Sequence, residues 1–230
     1  MRAMDLDARV AALLAVADQN SAWLIWNTLL AWVPAVLALG LFTLARDARR
    51  GPVWWGGAVL FVLFLPNAPY VVTDLVHLQT DVGRAGGGPV VTTVLPVYAV
   101  LIASGFLAYY ASLAQLRRYL THHGLGRYRT PVTLGLHAVV AVGIFLGRWS
   151  RLNSWEPVVH PRDALERTLL ALTWADAPLL IAVMFVVTAA GHFVTRAVVE
   201  TAWAGRSTLR PRLSRGPRWT AGRAPGPGRA

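Results

Sequence analysis

The chain has 230 residues and a net charge of +11, with 55% hydrophobic and only 14% charged side chains. Soluble chains carry about 25% charged residues, so this excess of apolar surface is typical of helices that lie in a bilayer. The 22 basic residues are all arginine and cluster between apolar stretches and in the C-terminal tail. That pattern belongs to membrane-protein loops and argues against a nucleic-acid partner. The absence of cysteine excludes disulfides and thiolate chemistry.

Long apolar stretches predict an all-α fold, a polytopic transmembrane helical bundle of about five spans with short interfacial helices. The predicted spans are 22–45, a second that begins near Val53, 90–114, 131–147 and 177–198. Residues 162–174 predict a surface helix that leads into the last span. His137 and His192 fall within spans, and we expect both to face the bundle and form hydrogen bonds.

Three regions are predicted along the chain. Residues 1–20 have apolar side chains at helical spacing and acidic ones off that face, which predicts an amphipathic helix at the membrane surface. Residues 21–200 form the transmembrane bundle. Residues 201–230 are rich in Arg, Gly and Pro, and this composition predicts a disordered tail.

The distribution of arginine predicts the orientation. With five spans, alternate segments share a side, and one side then holds 15 arginines and the other 7. The richer side is expected to be cytoplasmic. The N-terminus is therefore predicted outside and the C-terminus inside. His122 and His123 lie in a predicted cytoplasmic loop and give no indication of function.

The first polar motif, LPNAPYVVTDLVH, interrupts the second span. Pro66 and Pro69 each remove a backbone donor, so the helix is expected to kink or break within the outer leaflet. The freed carbonyls need partners because lipid offers none, and Asn67 can supply some of them. A broken helix at this depth either shapes packing or lines a wet cavity that binds a ligand. Tyr70 belongs to the same predicted ligand-binding set.

Asp74 and His77 follow the break and lie three residues apart, hence on one helical face. They are the candidate catalytic pair, since a carboxylate and an imidazole at this spacing fit proton transfer. The alternative is a helix-end aspartate beside an interfacial histidine.

The second polar motif, GRWSRLNSWE, ends the fourth span on the same side of the membrane. Gly143 and Gly147 form a small-xxx-small pair that permits close helix approach. Arg148 is expected near Asp74, and the arginines and tryptophans of this motif fit an anionic, phosphate-like or sugar-bearing head group. The alternative is interfacial snorkelling of Arg and Trp. The remaining predicted ligand-binding residues are Arg151, Asn153, Trp155 and Glu156.

We predict no metal site and no cofactor. Glu156 and His160 would complete a four-ligand set with Asp74 and His77, but prolines beside both interrupt the helix that would align them.

The two motifs also carry a family resemblance. Leu65 to Leu78, Gly147 to Pro157, and the opening WNTLLAWVP of Trp26 to Pro34 resemble the domain-of-unknown-function family 1361 over about residues 22–198. That family is a group of bacterial multi-span membrane proteins. The resemblance implies a multi-pass protein of the bacterial cytoplasmic membrane and no assigned activity.

Three classes of function remain open at this point. One is a scaffold protein whose partners are the lipid bilayer and other proteins. Another binds an anionic lipid or lipid-linked ligand, or transports a small solute, for which so small a bundle would need to form a homo-oligomer. The last is a membrane enzyme that uses Asp74 and His77 on a lipid-linked substrate.

Overall fold

The computed structural model describes residues 25–74 and 88–208, and all of the regular structure in those ranges is helical. Five of the helical segments are long and apolar enough to cross a membrane: Ile25–Leu44, Pro52–Thr73, Leu95–His122, Gly126–Trp149 and Ala177–Ala204. The predicted all-α bundle with five spans is therefore confirmed. The predicted N-terminal amphipathic helix lies outside the described residues.

The described residues form five long helices and three short ones. The long helices are α1 (Ile25–Leu44, ending in the π-helix Leu39–Leu44), α2 (Pro52–Phe64), α4 (Gly88–His122), α5 (Arg129–Trp149) and α8 (Ala177–Thr208). Short helices lie between them: α3 (Asn67–Tyr70), α6 (Glu156–Val159) and α7 (Pro161–Leu172), the last being the predicted surface helix. A 3-10 turn, Val71–Asp74, extends α3.

Local sequence explains where several of these helices begin and end. Pro52 and Pro161 occupy first helical positions, where the missing N–H is no loss. Gly124 takes a left-handed φ of 72° after α4. There the Leu125 N–H donates to Leu120 O at 2.8 Å and the Gly124 N–H to Thr121 O at 3.1 Å, which closes the helix end.

Two helices run eight or more residues past their predicted spans. The third span was expected over 90–114, but α4 continues to His122. The last helix runs to Thr208, into the first residues of the predicted tail, and residues 209–230 are not among those described. The chain divides after Arg196 into two units, and the described part of the second is the end of α8.

The core of the bundle packs around α4. Its buried aromatic and aliphatic side chains come from α1 to α5 and include Phe42, Phe61, Tyr109, Leu113 and Ile144. Of the apolar spans, α4 has the largest buried share, 44%, and α8 the smallest, 17%. The helix at the centre is thus α4, while α8 leaves most of its apolar surface for lipid.

A polar cluster is buried where α4, α5 and α8 meet. The Tyr109 hydroxyl and His137 Nδ1 lie 2.7 Å apart, and the His137 and His192 ring centroids are separated by 5.2 Å. All three side chains are almost fully buried. Both histidines face the bundle as expected. The expected hydrogen bond is present for His137, where the phenol–imidazole pair ties α4 to α5, but His192 Nδ1 has no partner among the described residues.

Candidate functional site

The second span breaks at its two prolines, as the sequence predicts. The helix α2 ends at Phe64, residues 65–66 form a turn, and α3 resumes at Asn67. The Asn67 side-chain amide donates to Phe64 O at 3.1 Å. It thereby satisfies a carbonyl beside the break that lipid cannot satisfy.

Glycines let the neighbouring helices approach this break closely. A Cβ on Gly143 would overlap the Pro66 ring, and one on Gly105 would overlap the Ala68 carbonyl. A Cβ on Gly147 would lie 3.2 Å from Tyr70 Cε2. The small-xxx-small pair predicted in α5 therefore packs against the broken segment rather than against another regular helix.

The loop after α5 is held by one carboxylate. Glu156 Oε1 accepts from the Asn153 N–H at 3.1 Å and from Asn153 Nδ2 at 2.7 Å, and the Glu156 N–H donates to Asn153 O. These three bonds close the turn that leads into α6. Arg167 Nη1 donates to Glu156 Oε2 at 3.2 Å. The backbone hydrogen bond from Asn153, the Asn153 amide and the nearby Arg167 charge lower the pKa of Glu156.

A direct hydrogen bond joins the two motifs. Asn67 Nδ2 donates to Ser154 Oγ at 2.9 Å, across 87 positions of sequence. The two Nδ2 hydrogens of Asn67 are thus used within the protein, one on the broken helix and one on the loop. Asn67 fixes the distance between the motifs.

Between the motifs lies a cavity of about 480 Å³, a size typical of ligand pockets. Its aliphatic and glycine walls come from α1, α2 and α5. Its aromatic, polar and charged lining consists of Trp26, Asn27, Asn67, Tyr70, Arg148, Asn153, Ser154 and Trp155. The start of α1 and the ends of the second and fourth spans meet here, so the cavity lies at one end of the bundle.

Among the described residues that line the cavity, Arg148 alone carries a positive charge. It lies in the last turn of α5 and is half-buried. Among the side chains that the structure describes, no acceptor pairs with its guanidinium. A cation in a partly apolar cleft attracts an anionic ligand strongly, because the surrounding dielectric is low.

The nine residues predicted to bind a ligand fall into three groups. Five line the cavity: Asn67, Tyr70, Arg148, Asn153 and Trp155. Arg151 and Glu156 are adjacent in sequence to the lining but do not belong to it. The Asp74 side chain and all of His77 lie outside the described atoms, so the expected proximity of Asp74 to Arg148 and the catalytic pair stay predictions.

Arg151 differs from the residues around it in its backbone conformation. It adopts a φ of 51°, and it alone among the described non-glycine residues has a positive value. The left-handed conformation costs roughly 1–2 kcal/mol for a residue with a side chain. It reverses the chain immediately after α5, which brings Leu152 to Trp155 back over the cavity.

Sequence reasoning did not assign Trp26 and Asn27 to the site. Both line the cavity from the first turn of α1. The available signal was their position: with five spans, the start of the first span lies on the same side as the ends of the second and fourth. A tryptophan at the start of a span also fits an interfacial aromatic belt, so its residue type alone does not assign it to a cavity.

The sequence matches the family described as protein of unknown function (DUF1361) over residues 26–190. The chain belongs to the DUF1361 family. The match begins at Trp26 in the cavity wall and includes both motifs, so the whole candidate site lies within the DUF1361 region. No curated protein and no solved structure matches the chain.

Proposed function

We propose that this DUF1361 protein binds an anionic head group, phosphate-like in charge, carried by a membrane lipid or a lipid-linked molecule. The observation that supports the proposal most directly is the half-buried Arg148 guanidinium in a cavity of about 480 Å³, unpaired by any described side chain. Arginine suits such ligands because its planar donors match phosphate oxygens in pairs.

The other lining groups divide into structural and free ones. The Asn67 amide and the Asn153 amide are engaged in hydrogen bonds that hold the broken helix and the loop. The Tyr70 hydroxyl and the Trp155 indole have no partner among the described residues and face the same space. An aromatic surface beside a cation fits a head group that carries a sugar or glycerol next to its phosphate.

The proposed location is the outer boundary of the bacterial cytoplasmic membrane, with the N-terminus outside and the C-terminus cytoplasmic. The cavity is built where the first span begins and where the second and fourth end, which is the side poorer in arginine. Exposed apolar side chains beside it, such as Trp26 at 55% and Leu29 at 59%, suit contact with the acyl or prenyl chain of the ligand.

The proposal is tested with full-length protein in phosphatidylcholine nanodiscs and three probes: a polyprenyl phosphate, phosphatidylglycerol and inorganic phosphate. Binding of each to wild-type protein is compared with Arg148→Gln by native mass spectrometry. The matched control is Arg162→Gln, which removes an exposed arginine from α7 outside the cavity. We expect Arg148→Gln to weaken binding by at least about tenfold, since hydrogen bonds to charged groups contribute about 1.5–3 kcal/mol, and the control to bind like the wild type.

The three probes separate the sources of the anion. Binding of the polyprenyl phosphate above phosphatidylglycerol supports a lipid-linked ligand, and the reverse order supports a membrane lipid. Binding of inorganic phosphate alone, or equal affinities of Arg148→Gln and wild type for every probe, would refute a lipid head-group site.

An enzymatic use of the same site is the second candidate. The 3-10 turn Val71–Asp74 follows Tyr70 directly, so the backbone of Asp74 lies within about one turn of the cavity wall. Asp74 would serve as the base and His77 as its partner. If Asp74→Asn keeps head-group binding but causes a lipid-linked precursor to accumulate in cells, the protein is an enzyme. If neither binding nor lipid composition changes, Asp74 has no catalytic role.

A further inference from the structure

A second group of polar side chains lies at the opposite end of the bundle from the cavity. Asp47 follows α1, His122 is the last residue of α4, and His123 comes next. One ligand atom from each of the three side chains lies within 4.8 Å of the others. Since α1 begins at the cavity and ends three residues before Asp47, this cluster is on the arginine-rich side.

We propose that Asp47, His122 and His123 bind a divalent transition-metal cation of the Zn²⁺ class. Imidazole nitrogen with carboxylate oxygen is a ligand set that such ions accept, and three protein ligands leave a fourth position for water. In a tetrahedral site with bonds of about 2.0–2.1 Å, ligand atoms lie about 3.3 Å apart. Asp47 Oδ1 and His122 Nδ1 are already 3.7 Å apart.

Hydrogen bonds from neighbouring groups leave one ligand atom free on His123 and one on Asp47. His123 Nδ1 lies 3.0 Å from Tyr119 O, which places the ring proton on Nδ1 and leaves the Nε2 lone pair for a metal. Arg46 Nε donates to Asp47 Oδ2 at 3.2 Å, so Oδ1 remains for the ion. A ligating histidine that donates to a backbone carbonyl is the usual second layer of protein metal sites.

Neighbouring groups both favour and oppose a cation at this cluster. The carboxyl end of α4 carries the negative end of the helix dipole, which favours a cation. Nearby arginines oppose it, although Arg46 is paired with Asp47 and Arg50 Nε donates to the Tyr119 hydroxyl at 2.9 Å. We therefore expect weaker binding than at a structural zinc site with four protein ligands.

The test uses full-length protein without a histidine tag, purified in detergent, and Co²⁺ as the probe because its visible absorption reports coordination. Wild type is compared with Asp47→Asn, His122→Ala and His123→Ala, and with the control His160→Ala, an exposed histidine outside the cluster. We expect wild type and control to bind one Co²⁺ with the absorption of a four-coordinate site. Zn²⁺ should displace it and Mg²⁺ should not.

Each ligand variant is expected to lose affinity by more than the roughly 10–100-fold typical of losing a second-layer partner. The Asp47 and His122 side chains are 66% and 44% exposed, so their variants should fold, and circular dichroism checks this. Equal affinity of His122→Ala and wild type, equal loss in the control, or the spectrum of hydrated Co²⁺ in wild type would each overturn the proposal.

Discussion

The close contact between Gly143 and Pro66 predicts a specific loss of stability when a methyl group is added. In Gly143→Ala the new Cβ meets the proline ring, with Pro66 Cβ only 2.9 Å away. Overpacking of this kind costs about 1–3 kcal/mol, while replacing glycine by alanine in a helix gains roughly 0.5–1 kcal/mol. The net change should lie between about zero and 2.5 kcal/mol of destabilisation. Pro66 also lines the cavity, so the displacement should weaken head-group binding as well.

The matched control is Gly135→Ala on the same helix, where a Cβ has no heavy atom within 4 Å. Both variants change helix propensity equally, so their difference isolates the contact with the broken span. Equilibrium unfolding in mixed detergent and sodium dodecyl sulfate measures this difference, expected at about 1–3 kcal/mol. If Gly143→Ala is as stable as Gly135→Ala, α5 does not pack against the proline break as described.

Three further predictions concern hydrogen bonds. Tyr109→Phe removes the partner of His137 Nδ1, so it should destabilise the bundle by about 0.6–1.7 kcal/mol, as measured for hydrogen bonds between membrane helices. An unchanged free energy of unfolding in detergent would refute this. Asn67→Ala should lower both stability and head-group binding, since the Asn67 amide joins the break to the opposite loop. If the variant unfolds and binds like the wild type in the same assays, Asn67 does not hold the two motifs together. The lowered pKa of Glu156 means that its contribution is present above the ordinary carboxyl pKa of about 4.3 and is lost as pH falls through the lower folded-state value. The unfolding temperature should therefore depend less on acidic pH in Glu156→Gln than in the control Glu166→Gln. Identical dependence on pH in the two variants would contradict a stabilising role of the Glu156 carboxylate.

The spans could be predicted because a bilayer imposes a simple requirement on composition. Apolar length placed all five helices, and two prolines placed the break. The ends of α4 and α8 could not be placed this way, because a helix does not have to stop where the bilayer stops. The predicted third span ends at residue 114, but Arg117 and Arg118 lie in good helical sequence that continues α4 as far as His122.

The number of spans predicts that the two motifs lie on the same side of the membrane. It does not predict the roles of individual side chains. Counting spans places their ends on one side, but it does not reveal that Asn67 donates to Ser154 or that Glu156 accepts from Asn153. Such partnerships depend on tertiary distances between distant positions. For the same reason, the position of Trp26 at the start of the first span places it on the side of the two motifs but does not show that it lines the cavity.

The broken second span also has a consequence for the order in which the protein is made. Its continuous helix, Pro52–Phe64, has 13 residues and spans about 20 Å, less than the roughly 30 Å of hydrocarbon. The groups that complete it, the Gly143 surface and the Ser154 hydroxyl, are synthesised some eighty residues later. The second span therefore reaches its final conformation only after the fourth has entered the membrane. Until then, one Nδ2 hydrogen of Asn67 lacks its acceptor on Ser154, and the insertion machinery or lipid-interface water must accept it.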